Sequence, residues 1–447
     1  MNAFGTVRPA SPFFVVIIAV SLITYLPIEP AALSAAPETW YWPLRLAPDA
    51  VVVLLSAIAI LDRWMDRRAR LILLVVAGCA AAVTLANFIR GFPVVDSINA
   101  LRVLIRYVPV GVLLWGYGRH IAAKPIVVFA LLLSGGIQIV AGIAGVVADV
   151  SATDGPWLAE ILLEDGTTGR YDRYGLFVTL AMLAALVAGN TWDIRLAYVV
   201  VPLLTAALIA SNSRQAALAA CVGLVLMAAL PILRPRWRFV GALACGAVMT
   251  SILLVPAVPA VVLADDEVPP SVPTESAEPP VPSHPPSPTT RGSSAISTDP
   301  NENFRLFLVL DLAPWAVSQE PLLGMGPGAH IADDPDPRLR QYVTDAGTTW
   351  SWARRFTNDS NYASMAIQFG LPLTLSFTGL VTGLTVRAGW RAWRRRDSHA
   401  LLAAATAVVV MTAALFGPAF ETRMTSIVLW SLLIPAQQDW IKMRRTS

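Results

Sequence analysis

The sequence predicts an all-α polytopic membrane protein with about twelve transmembrane helices and one large external loop between spans nine and ten. Three observations carry that prediction. Hydrophobic residues fill 55% of the 447 positions and charged residues only 14%, where soluble chains average about 25% charged. Apolar runs recur along the chain at or near the roughly 20 residues that a helix needs to cross hydrocarbon. Between those runs Lys and Arg collect in alternate loops, as the positive-inside rule requires.

Taken in order, the spans fall near 11–28, 48–62, 70–90, 104–118, 125–147, 174–190, 195–211, 214–233, 238–263, 359–386, 399–416 and 424–438. The run from Pro12 to Pro27 has neither a strongly basic start nor a small-residue cleavage site, so it reads as a first membrane helix rather than a signal peptide. The basic stretches RWMDRRAR (63–70), GRHIAAK (118–124), LRPRWR (233–238), RAGWRAWRRR (387–396) and KMRR (442–445) then define one side. With an even number of spans, both termini are expected in the cytoplasm.

Three regions follow. Residues 1–263 hold spans one to nine, residues 264–358 form the large external loop, and residues 359–447 hold spans ten to twelve with a cytoplasmic tail. Within the loop, 264–298 is Pro-rich, with nine prolines in VPPSVPTESAEPPVPSHPPSPTT (268–290), and is expected to be disordered because it cannot bury a core. Residues 299–358 read as partly helical. Asp299, Pro300 and Glu302 supply a cap, a first-turn proline and an N3 acid ahead of NFRLFLVLDLAPWAV, which Pro314 ends or kinks.

Composition also excludes partners. A formal net charge of +3 is too small to argue for nucleic acid. Cys79, Cys221 and Cys245 all lie in apolar runs, which offers neither a disulfide framework nor a zinc spacing. All basic residues except Lys124 and Lys442 are arginine, whose planar fork suits phosphate.

The informative charges sit on the external side, where the insertion rule disfavours them: Arg90, Arg102, Arg106, Arg170, Arg173, Arg214, Arg305, Arg338, Arg340, Arg354, Arg355 and Arg423. Any one of them reads equally well as an arginine snorkelling to headgroups. Together they point to an anionic ligand at the outer leaflet, and a lipid pyrophosphate supplies both the charge and a tail that reaches the site through the bilayer. GMGPGAH (324–330) is a glycine-rich external turn, and FTNDSNYASMAIQFG (356–370) puts Asp359, Asn361 and Tyr362 at the mouth of span ten. There Asp359 reads either as a base for a hydroxyl proton or as a helix cap. The acidic runs ADDE (264–267) and DDPDP (333–337) offer hard oxygen ligands for a divalent ion, but their unspecific spacing fits solvated loop acids better.

This order of features resembles the O-antigen ligase and O-antigen polymerase superfamily, bacterial membrane glycosyltransferases of the polytopic GT-C-like kind. SNSR (211–214) is similar to the family's Ser-Arg motif, NFRLFLVLDLAPWAVSQEPLLGMGPGAH (303–330) to its loop arginine followed by a Pro-Leu-Gly-x-Gly turn, and RYDRYG (170–175) loosely to an arginine-glycine stretch. DSNYASMAIQFGLPL (359–373) resembles a segment that reads His-Asn-x-Tyr in ligases, so Asp359 stands where ligases carry histidine.

The resemblance implies a glycan donor on undecaprenyl pyrophosphate, an acceptor glycan or lipid-glycan hydroxyl, and a place in the bacterial cytoplasmic membrane. It implies Arg214 and Arg305 as pyrophosphate ligands, helped by Arg90, Arg106 or Arg170, and Asp359 as base, with His330 the alternative base. No metal or other cofactor enters that scheme. A flippase or exporter of the same lipid-linked glycan is the alternative, with a scaffold third. Nearly charge-free span centres, basic groups gathered at one face and no mirrored half favour surface chemistry over transport.

Overall fold

The computed structural model describes residues 10–26, 37–118, 123–147, 160–162, 168–170, 172–193, 195–210, 213–254, 305–329, 336–353, 360–417, 419–420 and 423–438. The helices are α1 (Ala10–Tyr25), α2 (Glu38–Leu61), α3 (Arg67–Ile89), α4 (Val94–Ile105), α5 (Val108–Gly116), α6 (Ala123–Val147), α7 (Asp172–Trp192), α8 (Ala197–Ala210), α9 (Arg214–Ala229) and α10 (Pro235–Leu254). After them come α11 (Ala313–Gln319), α12 (Pro337–Asp345), α13 (Trp350–Ala353), α14 (Asn361–Arg395), α15 (Ser398–Ala413) and α16 (Arg423–Leu433). Between α6 and α7 lies a short antiparallel hairpin, β1 (Glu160–Leu162) and β2 (Thr168–Arg170). Calls on 264–298, Asp359 and His330 lie outside the described residues.

Among the described residues, four helical segments are long and apolar enough to cross a membrane: Pro43–Leu61, Arg67–Ile89, Gly175–Trp192 and Asn361–Arg395. Six shorter apolar helices accompany them. α7 is the centre of the bundle. Residues from Leu176 to Ala188 are buried, and the helix packs against α6, α8, α9, α15 and α16. By contrast α2 and α3 leave Val53, Leu54, Leu61, Leu71, Leu74 and Val75 exposed, which is the surface a lipid environment covers. Small residues allow close crossings: a Cβ on Gly189 would strike the Trp237 ring, and one on Gly111 the backbone of Trp430. Close approach of this kind gains packing where apolar burial alone cannot favour helix over lipid.

Polar contacts gather the basic loops at one end. Tyr117 Oη donates to Asp62 Oδ2 at 2.7 Å, Lys124 Nζ meets Asp397 Oδ2 at 2.7 Å, and Asn190 Oδ1 accepts from Arg234 N at 2.8 Å. Arg391 donates to the carbonyls of Ala436 and Gln438, and Gln438 in turn donates to that of Trp115. These contacts bring the segments around residues 62, 117, 190, 234, 397 and 438 to the same end.

Several boundaries depart from expectation. The span expected at 104–118 is two helices broken at Arg106–Tyr107, with Tyr107 at ψ −1° and Pro109 in the first turn of α5. Proline lacks the amide that would continue α4 and disfavours helix in the residue before it. Span two starts ten residues earlier than the 48 expected, because α2 runs through both Pro43 and Pro48. The loop helix passes through Pro314 rather than ending there: the turn before it, Leu308–Leu312, is a π-helix that leads directly into α11. A widened turn is one way a helix tolerates a lost hydrogen bond.

Candidate functional site

The end of the bundle opposite the basic loops is organised around the C-terminus of α15. The last carbonyls of a helix have no partner within it, and burying one unsatisfied costs about 1–3 kcal/mol. Here they are met from two other helix starts. Gln215 Nε2 donates to Ala413 O at 2.7 Å, Tyr362 Oη to Met411 O at 3.2 Å, and Asn361 N to Ala414 O at 2.9 Å. Asn361, fully buried, also accepts from Phe420 N at 2.8 Å through its Oδ1. The N-termini of α9 and α14 and the turn leading to α16 are therefore fixed to one another.

Arg214 is the first residue of α9, and its side chain is exposed. Ser213 caps the helix, its Oγ accepting from Ala216 N at 3.2 Å, so Arg214 has no part in the cap. At the start of α14 the cap is Ser360. The capping role open to Asp359 in the sequence is thus filled by its neighbour. α9 and α15 have 16 residues each. At about 1.5 Å per residue that is roughly 24 Å, short of the roughly 30 Å hydrocarbon core.

A second assembly flanks this junction. Phe307, Leu308, Leu312, Met325, Leu339, Val343 and Trp350 form an apolar cluster with Ala363 and Ile367 of α14. Trp315 stacks on Tyr342 at 4.3 Å, tying α11 to α12. Arg305 stands exposed at the start of this lobe. Asp336, one of the DDPDP acids, caps α12 and pairs with Arg338 at 2.8 Å; its hydrogen bonds to Arg338 hold its carboxyl below the usual carboxylate range. That acid serves the helix rather than an ion. Among the described residues no group of three His, Cys, Asp or Glu is placed to hold a metal.

The glycine turn joins lobe and bundle backbone to backbone. Met325 N donates to Ile367 O at 2.7 Å, Gly326 N to Gln368 O at 3.2 Å and Leu371 N to Pro321 O at 2.9 Å. Gln368 Oε1 also accepts from Gly328 N at 3.0 Å. α14 frees those groups by breaking at Gly370, at φ 72° and ψ −178°, a region open essentially to glycine alone. A Cβ there would lie 2.7 Å from Leu322 C. Gly370→Ala is therefore expected to cost about 1–3 kcal/mol from the backbone strain alone. It should lower the thermal unfolding midpoint of the purified protein, whereas Gly379→Ala, a helical site with open space around it, should not. Equal midpoints for the two variants would remove the strain argument.

Of the remaining predicted ligands, Arg90 clamps the turn: its guanidinium donates to Leu323 O at 3.1 Å and Gly324 O at 2.7 Å and lies over Phe92. Arg106 lies at the break between α4 and α5, on elements separate from those of Arg214 and Arg305, and Arg170 ends β2. Sequence reasoning passed over Gln215 and Gln368. The available signal was their position, one beside Arg214 and one two residues before a glycine within an apolar run.

Residues 197–378 match the family model for O-antigen ligase. This part of the chain is similar to the O-antigen ligase family. It runs from the start of α8 into α14 and contains Arg214, Arg305, the glycine turn, Ser360 and Gly370. No curated protein matches the chain. The match supports the ligase and polymerase superfamily, a family that implies a glycosyltransferase-like enzyme and a lipid-linked glycan substrate. Together with the apolar helices it fits a membrane protein of polysaccharide biosynthesis.

Proposed function

We propose that the chain transfers a glycan from a polyprenyl-pyrophosphate carrier, of the undecaprenyl type, to an acceptor hydroxyl at the outer face of the cytoplasmic membrane. In this reading all twelve apolar segments cross the membrane and both termini are cytoplasmic. The observation that carries the reading is the α15 end, which binds the start of Arg214's helix to the start of the helix that Asp359 precedes, both of those starts lying in the part of the chain that matches O-antigen ligase. If α15 starts at the cytoplasmic face, its short length sets this junction below the outer surface. Charges there act in a lower dielectric than in water.

Arg214 and Arg305 hold the pyrophosphate, with Arg106 and Arg170 as further basic groups near the outer face, while Arg90 fixes the glycine turn. The acceptor oxygen attacks the anomeric carbon as the bond from that carbon to the pyrophosphate oxygen breaks. Asp359 takes the hydroxyl proton, His330 being the alternative, and the arginines stabilise the charge that grows on the leaving diphosphate. Attack from the face opposite the leaving group inverts the anomeric centre. No step calls for a metal.

Reconstitution in vesicles with a labelled lipid-linked glycan tests this. A new glycosidic product is expected. A ladder of repeat units on the carrier lipid identifies a polymerase, and transfer to a different acceptor identifies a ligase. Movement of the label between leaflets without product would overturn the assignment in favour of a flippase.

A further inference from the structure

The arginine-rich run RAGWRAWRRR (387–396) forms the last turns of α14 and its cap. α14 is longer than a membrane crossing needs. Past the break at Gly370, the 25 residues from Leu371 to Arg395 extend about 37 Å, against a hydrocarbon core of roughly 30 Å. A helix that fills the core from the break onward therefore carries its final turns to headgroup level. Those turns lie at the basic end of the bundle, where the buried side of the helix is tied down: Arg391 donates to Ala436 O at 2.6 Å and to Gln438 O.

The opposite side is bare. Val386, Trp390 and Trp393, at i, i+4 and i+7, share one face and are 66%, 57% and 53% exposed. Arg387 and Arg394 run beside them, also exposed, and Arg394 Cζ lies 4.7 Å from the centre of the Trp390 ring. Among the described residues neither of these two arginines forms an ion pair. The acid that follows, Asp397, is taken up by Lys124 at 2.7 Å and by the first amides of α15.

Each feature selects the same partner. Tryptophan favours the headgroup region, where its ring meets acyl chains and its N–H meets water. An arginine held over such a ring keeps its charge at the same depth. Two arginines without acidic partners, beside an apolar strip, match a molecule with an acidic head and apolar tails. Each charge near an acidic lipid surface strengthens attachment about fivefold. An acidic protein segment would meet the charge but leave the valine and tryptophan side chains without apolar cover.

We propose that this face of α14, formed by Val386, Arg387, Trp390, Trp393 and Arg394, is a docking surface for an acidic phospholipid. The head group meets Arg387 and Arg394, and the upper acyl chains lie against Val386 and the two tryptophans. The surface uses no residue assigned to glycan transfer and requires only that α14 cross the membrane, so it stands whether or not the chain proves to be a transferase.

The test uses the full chain in phosphatidylcholine nanodiscs containing a minor share of phosphatidylglycerol, with retained lipid read by native mass spectrometry. Arg387→Gln combined with Arg394→Gln should weaken retention of phosphatidylglycerol at least about tenfold. Lysine at both positions should restore it, a recovery that misfolding cannot produce. Arg67→Gln with Arg68→Gln, an equal loss of exposed charge at the start of α3, should leave retention unchanged. Equal weakening by the two pairs would reduce the effect to diffuse charge and overturn the proposal, as would retention indifferent to Arg387 and Arg394. Soluble glycerol 3-phosphate that competes as well as the lipid would leave a site for free anions only. A dimer that Trp390→Ala converts to monomer would make the face an interface between copies of the chain instead.

Discussion

Arg214→Ala is expected to lower the rate of glycan transfer by about 10²–10³-fold, the usual consequence of removing one group that stabilises charge growing in a transition state. The fold should not notice. Arg214 is exposed, the cap of α9 belongs to Ser213, and alanine is the better helix former. The anchoring bond to α15 comes from Gln215, which the substitution leaves in place. Steady-state transfer in vesicles, paired with a thermal unfolding scan, checks both halves. Arg214→Lys makes the comparison sharper: it restores the charge without the planar fork and should recover only part of the rate. An Arg214→Ala enzyme working at the wild-type rate would end the pyrophosphate assignment. One that loses rate together with its unfolding midpoint would instead show a structural role.

Asp359→Asn should reduce turnover by about 10²–10⁴-fold, the range that a positioned general base contributes. Asparagine keeps the shape and loses the ability to take a proton. Because Ser360 caps α14, the change leaves the helix start intact, and the unfolding midpoint should stay where it is. Ser360→Ala provides the opposite pattern, costing about 1 kcal/mol of stability through the lost cap. Unimpaired turnover in Asp359→Asn, with loss in His330→Ala, would move the base to His330.

These expectations rest on features of unequal visibility. That the chain is helical and apolar could be read at once, since hydrophobic runs and their spacing are properties of local sequence. The short motifs were equally open: Ser213 and Arg214 open α9 and the glycine turn stands where its glycines put it. Helix ends were less legible. Pro48 stood at the expected start of span two and Pro314 at an expected end or kink, and both lie inside helical structure, because tertiary packing overrides the local cost of a proline.

By itself the sequence determined which residues are charged near apolar runs, and so which arginines are available for an anion, because a misplaced charge next to hydrocarbon stands out without any knowledge of neighbours. Only the tertiary structure decided what each one does. It gave Arg90 to the carbonyls of the glycine turn and left Arg214 exposed at a helix start. It also gathered Arg102, Arg106 and Arg423 around Asp49. The reason is that these partners are backbone carbonyls or side chains far apart in the sequence. A carbonyl leaves no mark on the sequence, since every residue has one, and long-range pairing exists only once the helices have packed.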